Sequence, residues 1–160
     1  MMLIQTNEIL YRIKKGLSLS LEEIIEAYRL EEYEMKESHL LRLLTRRQDK
    51  DFMLCSYEEL GVFLDGLISF KRGKNPKSSS SEEVELTNNL ILKKLRIALT
   101  LKEAETEIIF GLGEIELTKQ QLASLFRKES HKNFKPCSSE LLMAFIDGLD
   151  EFYYVGESEL

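Results

Sequence analysis

Apolar residues recur three and four positions apart along most of this chain, and the whole pattern occurs twice. Ile9, Leu10, Ile13 and Leu17 fall on one stripe of a helix whose other side carries Arg12 and Lys15, with Asn7 or Thr6 expected as its cap. After a break at Gly16–Ser20, Ile24, Ile25 and Tyr28 predict a second helix. The polar turn Glu31-Glu32-Tyr33-Glu34 leads to a third helix bearing Leu40, Leu41, Leu43 and Leu44, with Arg42, Arg46 and Arg47 on its outer side. A loop through Asp49–Cys55 enters a fourth. There Ser56 and Glu59 have the spacing of a capping box, and Leu60, Phe63, Leu64 and Leu67 form one apolar stripe.

Shifting the sequence by 82 positions brings residues 89–152 onto residues 7–70 without a gap. Asn7 meets Asn89, Phe52 meets Phe134, Cys55 meets Cys137, and Phe63-Leu64-Asp65-Gly66-Leu67 meets Phe145-Ile146-Asp147-Gly148-Leu149. A repeat of this length sets the architecture before any single motif does. The second copy brings its own start signals: Asn88 or Asn89 for its first helix, Thr100 with Glu103 for its second, and Thr118 with Gln121 for its third. Gly111 and Gly113 are expected to mark a turn, and Pro136 precedes the last helix. The expected fold is therefore all-α, two four-helix repeats related by a pseudo-twofold axis. The first repeat spans 1–72 and the second 88–154; a serine-rich flexible linker covers 73–87 and a frayed tail 155–160. Each half alone has too small a core to be robust, so the copies are expected to pack on each other or on a further chain, and an oligomer is compatible with the pattern.

Composition narrows the function classes. The net charge is −6, and it is unevenly placed: residues 1–77 hold 13 basic and 13 acidic side chains, residues 78–160 hold 9 and 15. An acidic balance disfavours nucleic acid as a partner, because such binding rests on counterion release from phosphates. No apolar run reaches the length of a membrane span and no signal-peptide pattern opens the chain, so a cytoplasmic protein without a membrane partner is expected. The two cysteines occupy matching positions and read as small buried hydrophobes. No zinc spacing, phosphate loop or dinucleotide fingerprint is present, and no cofactor is expected.

Three sets of residues are candidates for function. Asp65-Gly66 and Asp147-Gly148 put a glycine inside a helix twice, which costs roughly 1 kcal/mol against Ala and points to close backbone approach beside a carboxylate. His131 has Asp49 as its counterpart, so it lies outside the repeat pattern and reads as a surface-loop histidine. The basic clusters are Arg42 and Arg46, Lys71 and Arg72, Lys93, Lys94 and Arg96, and Arg127 and Lys128. The second and third helices of each copy also have the outline of a helix-turn-helix. No Ser/His/Asp or Cys/His constellation accompanies them, and an enzyme is the least supported reading.

Two copies of Asn-x-Ile-Leu, the Lys50-Asp51-Phe52…Cys55 and His131-Lys132-Asn133-Phe134…Cys137 loops, the Phe-Leu/Ile-Asp-Gly-Leu helices and the Lys71-Arg72-Gly73 ending together resemble the bacterial YehS-like family. The resemblance covers nearly the whole chain apart from linker and tail. It implies a duplicated helical domain of bacterial cytosolic origin and supplies no catalytic residue. The leading expectation is a non-enzymatic binding or regulatory module for a protein or small ligand, with nucleic-acid binding as the alternative. The alternative predicts that Arg42, Arg46, Arg127 and Lys128 share one face with Lys93–Arg96, whereas a protein or ligand module predicts an apolar cleft between the repeats.

Overall fold

A computed structural model describes residues 6–73 and 85–154. Its helices are α1 (Thr6–Gly16), α2 (Leu21–Leu30), α3 (Glu37–Leu43), α4 (Tyr57–Arg72), α5 (Asn88–Ala98), α6 (Glu103–Leu112), α7 (Lys119–Leu125) and α8 (Ser139–Phe152). Among the described residues there is no strand, and no helix is long and apolar enough to cross a membrane. The bulk of the expected linker, residues 74–84, and the tail at 155–160 lie outside the described residues. Each helix of the second copy starts 82 positions after its counterpart, as the shifted alignment requires.

The helices bury the stripes that the periodicity marks. Ile9, Leu10, Ile13, Ile24, Tyr28, Leu40, Leu43, Leu60, Phe63, Leu64 and Leu67 are all buried, as are Phe145 and Leu149. They form one continuous core across both copies. The two repeats pack reciprocally: α1 lies on α8, and α5 lies on α4. Such an exchange of equivalent contacts is what a twofold axis produces. Within each copy, α2 packs on α4 and α6 on α8.

Glycine permits that close packing. A Cβ on Gly66 would stand 2.0 Å from the carbonyl oxygen of Ala27, and one on Gly148 would stand 2.0 Å from that of Ile109. Only hydrogen at these positions lets α4 reach α2 and α8 reach α6.

Helix ends depart from the expected pattern in four places, each for a physical reason. Asn7 and Asn89 cap nothing, because their side chains reach across the repeat. Asn7 Nδ2 donates to the carbonyls of Leu43 (2.9 Å) and Met53 (2.8 Å), and its Oδ1 accepts from Cys55 N (2.8 Å). Asn89 does the same with Leu125 (3.0 Å), Lys135 (2.9 Å) and Cys137 N (2.8 Å). Thr87 is the cap of α5. Thr100 is likewise no cap: it sits at φ 53°, in the left-handed region, closing α5, and Glu105 bonds back to Lys102 N at the true start of α6. Gly111 lies inside α6, and only Gly113 ends it. Finally, α3 stops at Leu43, so Arg46 and Arg47 belong to the turn behind it, and Leu41 is exposed.

Among the described residues, Thr100 is one of four non-glycine residues at positive φ, with Ser18 (51°), Glu32 (59°) and Glu114 (67°). They form two pairs 82 apart. Each is followed by a residue whose N–H bonds five positions back, as in Leu19 N to Lys14 O at 2.9 Å and Ile115 N to Phe110 O at 3.0 Å. These are Schellman endings of α1, α2, α5 and α6, built without the usual glycine.

Candidate functional site

The reciprocal packing leaves two grooves, one on each side of the twofold. The first runs between α1, the turn after α3 and the exposed flank of α8, with a volume of about 500 Å³. Tyr11, Arg12, Lys15, Arg46, Arg47 and Phe52 line it from the first copy, and Asp147 and Asp150 from the second. Arg12 Nη1 meets Asp147 Oδ1 at 2.6 Å, and Arg12 also donates to Glu8 (Nη2, 2.8 Å). Lys15 reaches Asp150 at 3.9 Å, and Arg46 reaches Asp49 at 3.6 Å. Most cations of this groove are therefore held by carboxylates.

The second groove is its counterpart between α5, the turn after α7 and the end of α4. The matching ion pair is present, Lys94 Nζ with Asp65 Oδ1. Asp65 and Asp147 are thus equivalent inter-repeat anchors, and each lines a different groove. The other cations here have no such anchor. Lys93 lines one hollow with Arg72 and Lys94, a second with Arg127 and Lys128, and a third with Arg72 and Arg96. The three hollows thus meet at Lys93, and Asp65, Glu85 and Glu129 line them beside the cations. Arg72, Lys93, Arg127 and Lys128 make no ion pair among the described residues. Arg96 donates Nε to the carbonyl of Leu101 (3.2 Å) and lies 4.5 Å from the centroid of the Phe126 ring.

The remaining basic candidates lie apart from this surface. Arg42 donates to the carbonyl of Asp51 (3.2 Å), and Lys71 sits 5.9 Å from the ring of Phe70. Of the four residues the nucleic-acid alternative requires beside Lys93–Arg96, the structure brings Arg127 and Lys128 there, while Arg46 lines the first groove. His131 is exposed and its Nδ1 accepts from Asn133 N at 2.9 Å, a contact internal to its own turn.

A polar cluster in the first copy was not among the candidates. His39 Nε2 lies 2.6 Å from Oε2 of Glu59, which is buried, and Tyr33 donates its hydroxyl to the same oxygen at 3.4 Å. Tyr28 donates to the Glu59 carbonyl at 2.9 Å. Burial pushes the Glu59 carboxyl up, but hydrogen bonds from Ser56 and the contact with His39 outweigh it and hold the group below the usual carboxylate range. The repeat itself carries the signal: Tyr28, Tyr33, His39 and Glu59 stand opposite Phe110, Ile115, Gln121 and Leu141. No cluster of three or more metal-ligating side chains exists among the described residues. Both cysteines are free and buried, and burial pushes each thiol up to about 12.

Residues 6–73 and 88–153 each match the family model described as a protein of unknown function (DUF1456). The chain belongs to this family. It is 30% identical over 145 residues to the uncharacterized protein YehS of Escherichia coli (strain K12), covering 90% of this chain and 93% of that one. No solved structure matches it. The two matched segments coincide with the two helical repeats and meet the boundaries of α1, α4, α5 and α8.

Proposed function

We propose that the protein is a non-enzymatic binding module that takes its ligand through the grooves between its repeats. One observation carries this reading. The two grooves are equivalent by construction, yet among the described residues the first pairs off most of its cations and the second leaves four, Arg72, Lys93, Arg127 and Lys128, without an ion pair. Unpaired like charges crowded on one face repel one another and contribute nothing to the fold. Their presence is accounted for by an anionic ligand that supplies the missing partners. The side chains with catalytic potential lie elsewhere: the cysteines are buried and protonated, and His39 is engaged with Glu59.

The test is a thermal-unfolding screen of the full chain against millimolar nucleotides, inorganic phosphates, acidic peptides and oligonucleotides. A ligand at 100 times its Kd stabilises by about 2.7 kcal/mol, roughly 5–10 °C for a chain of this size. The expected result is such a rise with at least one anion, lost in Lys93→Gln/Arg127→Gln, with the ligand recovered chemically unchanged. A screen without any shift, or a ligand that is converted, would overturn the reading.

A further inference from the structure

We infer that the surface around α5 binds single-stranded nucleic acid without sequence preference, an inference that rests on the binding-module reading and names its ligand. The second half of the chain is acidic, with 9 basic against 15 acidic side chains. Yet six of those nine cations, Lys93, Lys94, Arg96, Lys102, Arg127 and Lys128, line the connected hollows around α5, and Arg72 joins them from the first repeat. Asp65, Glu85 and Glu129 line the same hollows, so cations outnumber carboxylates there by seven to three, against the balance of the half as a whole.

The first groove has cations of its own, Arg12, Lys15, Arg46 and Arg47, but three on the α5 side are peculiar to it. Lys93, Arg127 and Arg72 replace Tyr11, Thr45 and Tyr154 of the equivalent positions, each an uncharged residue. The shared fold is kept, because the Asn89 bracket, the Gly148 approach and the Lys94–Asp65 pair are all retained. The substitutions fall on the groove and leave the framework untouched.

The chemistry selects the ligand. Four free cations along one surface suit a chain of phosphates rather than a single anion. Phe126 and Phe134 are half-buried rings among them, Phe126 packed on the core with Arg96 over its ring, where a base would have to displace the guanidinium. Cations interleaved with rings that accept any base face are what a single strand needs. A duplex is less suited. α7 is only seven residues long, about 10 Å, and Arg127 and Lys128 lie beyond its end in a turn, so no row of cations faces outward along a recognition helix.

The test uses the full chain with fluorescein-labelled U8 and dT8, read by anisotropy at 50 and 200 mM NaCl. Four phosphate contacts on a single strand predict a fall in affinity of about 50-fold over that range. Lys93→Gln/Arg127→Gln/Lys128→Gln, three exposed positions, should abolish binding at 50 mM salt while leaving the helical circular dichroism unchanged. Arg46→Gln/Arg47→Gln in the twin groove should bind as the native protein does. The ratio of U8 to dT8 affinities assigns RNA or DNA. Failure of both oligonucleotides at 50 mM salt, retention of binding by the triple variant, or equal loss in the twin-groove control would overturn the inference, as would polyglutamate competing at equal charge with equal potency. If the oligonucleotides fail while another anion still raises the unfolding midpoint through Lys93 and Arg127, the binding-module reading stands and this one falls.

Discussion

Replacing Asn7 with Ala should destabilise the protein more than replacing Asn89, although the two side chains make the same three bonds. Each amide donates to two loop carbonyls and accepts from the N–H of a cysteine. It thereby ties the start of the first helix of its repeat to the end of the third helix and to the loop before the fourth. Deleting it leaves two carbonyls and one N–H without that partner, at about 1–3 kcal/mol for each group that water cannot reach. Asn7 is 6% exposed, whereas Asn89 is only partly buried, so solvent can replace part of what the second site loses. The expected cost is about 3 kcal/mol or more for Asn7→Ala and about 1–2 kcal/mol for Asn89→Ala. At roughly 2–4 °C per kcal/mol for a chain of this length, the midpoints should differ by several degrees. Urea unfolding of the two variants and of the native chain measures this directly, and Asn7→Asp offers a further check. A carboxylate there would face the Leu43 and Met53 carbonyls, which raise its pKa, so its penalty should begin to shrink as pH falls while still above the usual carboxylate range. Costs below about 0.5 kcal/mol at both positions, or a larger cost at Asn89, would refute the bracket argument.

Two other outcomes follow from the packing and the buried acid. Within α4, Gly66→Ala should cost several kcal/mol by driving a Cβ into the Ala27 carbonyl, while Gly61→Ala, with nothing within 4 Å, should stabilise by roughly 0.5–1 kcal/mol; equal effects in urea unfolding would show that α2 and α4 do not approach as described. Glu59 is held below its unfolded value, so its contribution is present above the ordinary carboxylate pKa and is lost as pH falls through the folded one. Glu59→Gln should therefore lose less stability than the native chain on going from pH 6 to pH 3.5, and parallel curves for the two proteins would contradict it.

What the sequence made legible was whatever is local or repeated. Apolar spacing and the repeat located the eight helices of the described residues, and the Ser56/Glu59 and Thr118/Gln121 boxes are present as read. The same local logic misassigned Asn7, because an asparagine at a helix start looks like a cap whether it bonds three residues away or 48. Thr100 and Glu103 mimic a capping box because nothing in a threonine announces the left-handed conformation that glycine usually marks. Inter-repeat pairs are beyond such reading altogether: Arg12 and Asp147 stand 135 positions apart. So is the gathering of Arg72, Lys93 and Arg127 from three separate stretches, which a count of charges by halves averages away. The Glu59 cluster is a different case. It was open to detection, since three of its four positions, Tyr28, Tyr33 and Glu59, become apolar in the second copy and the fourth, His39, becomes Gln121.

The reciprocal docking of α1 on α8 and α5 on α4 means that one repeat is, geometrically, half of a symmetric dimer. Two separate identical subunits would have to alter both grooves at once, because every substitution would appear on both sides of the axis. Covalent joining removes that obligation. It also replaces a concentration-dependent association with an intramolecular one. One side can then keep its tyrosine and its paired charges while the other collects free cations. Two faces inherited as equals are thereby free to diverge.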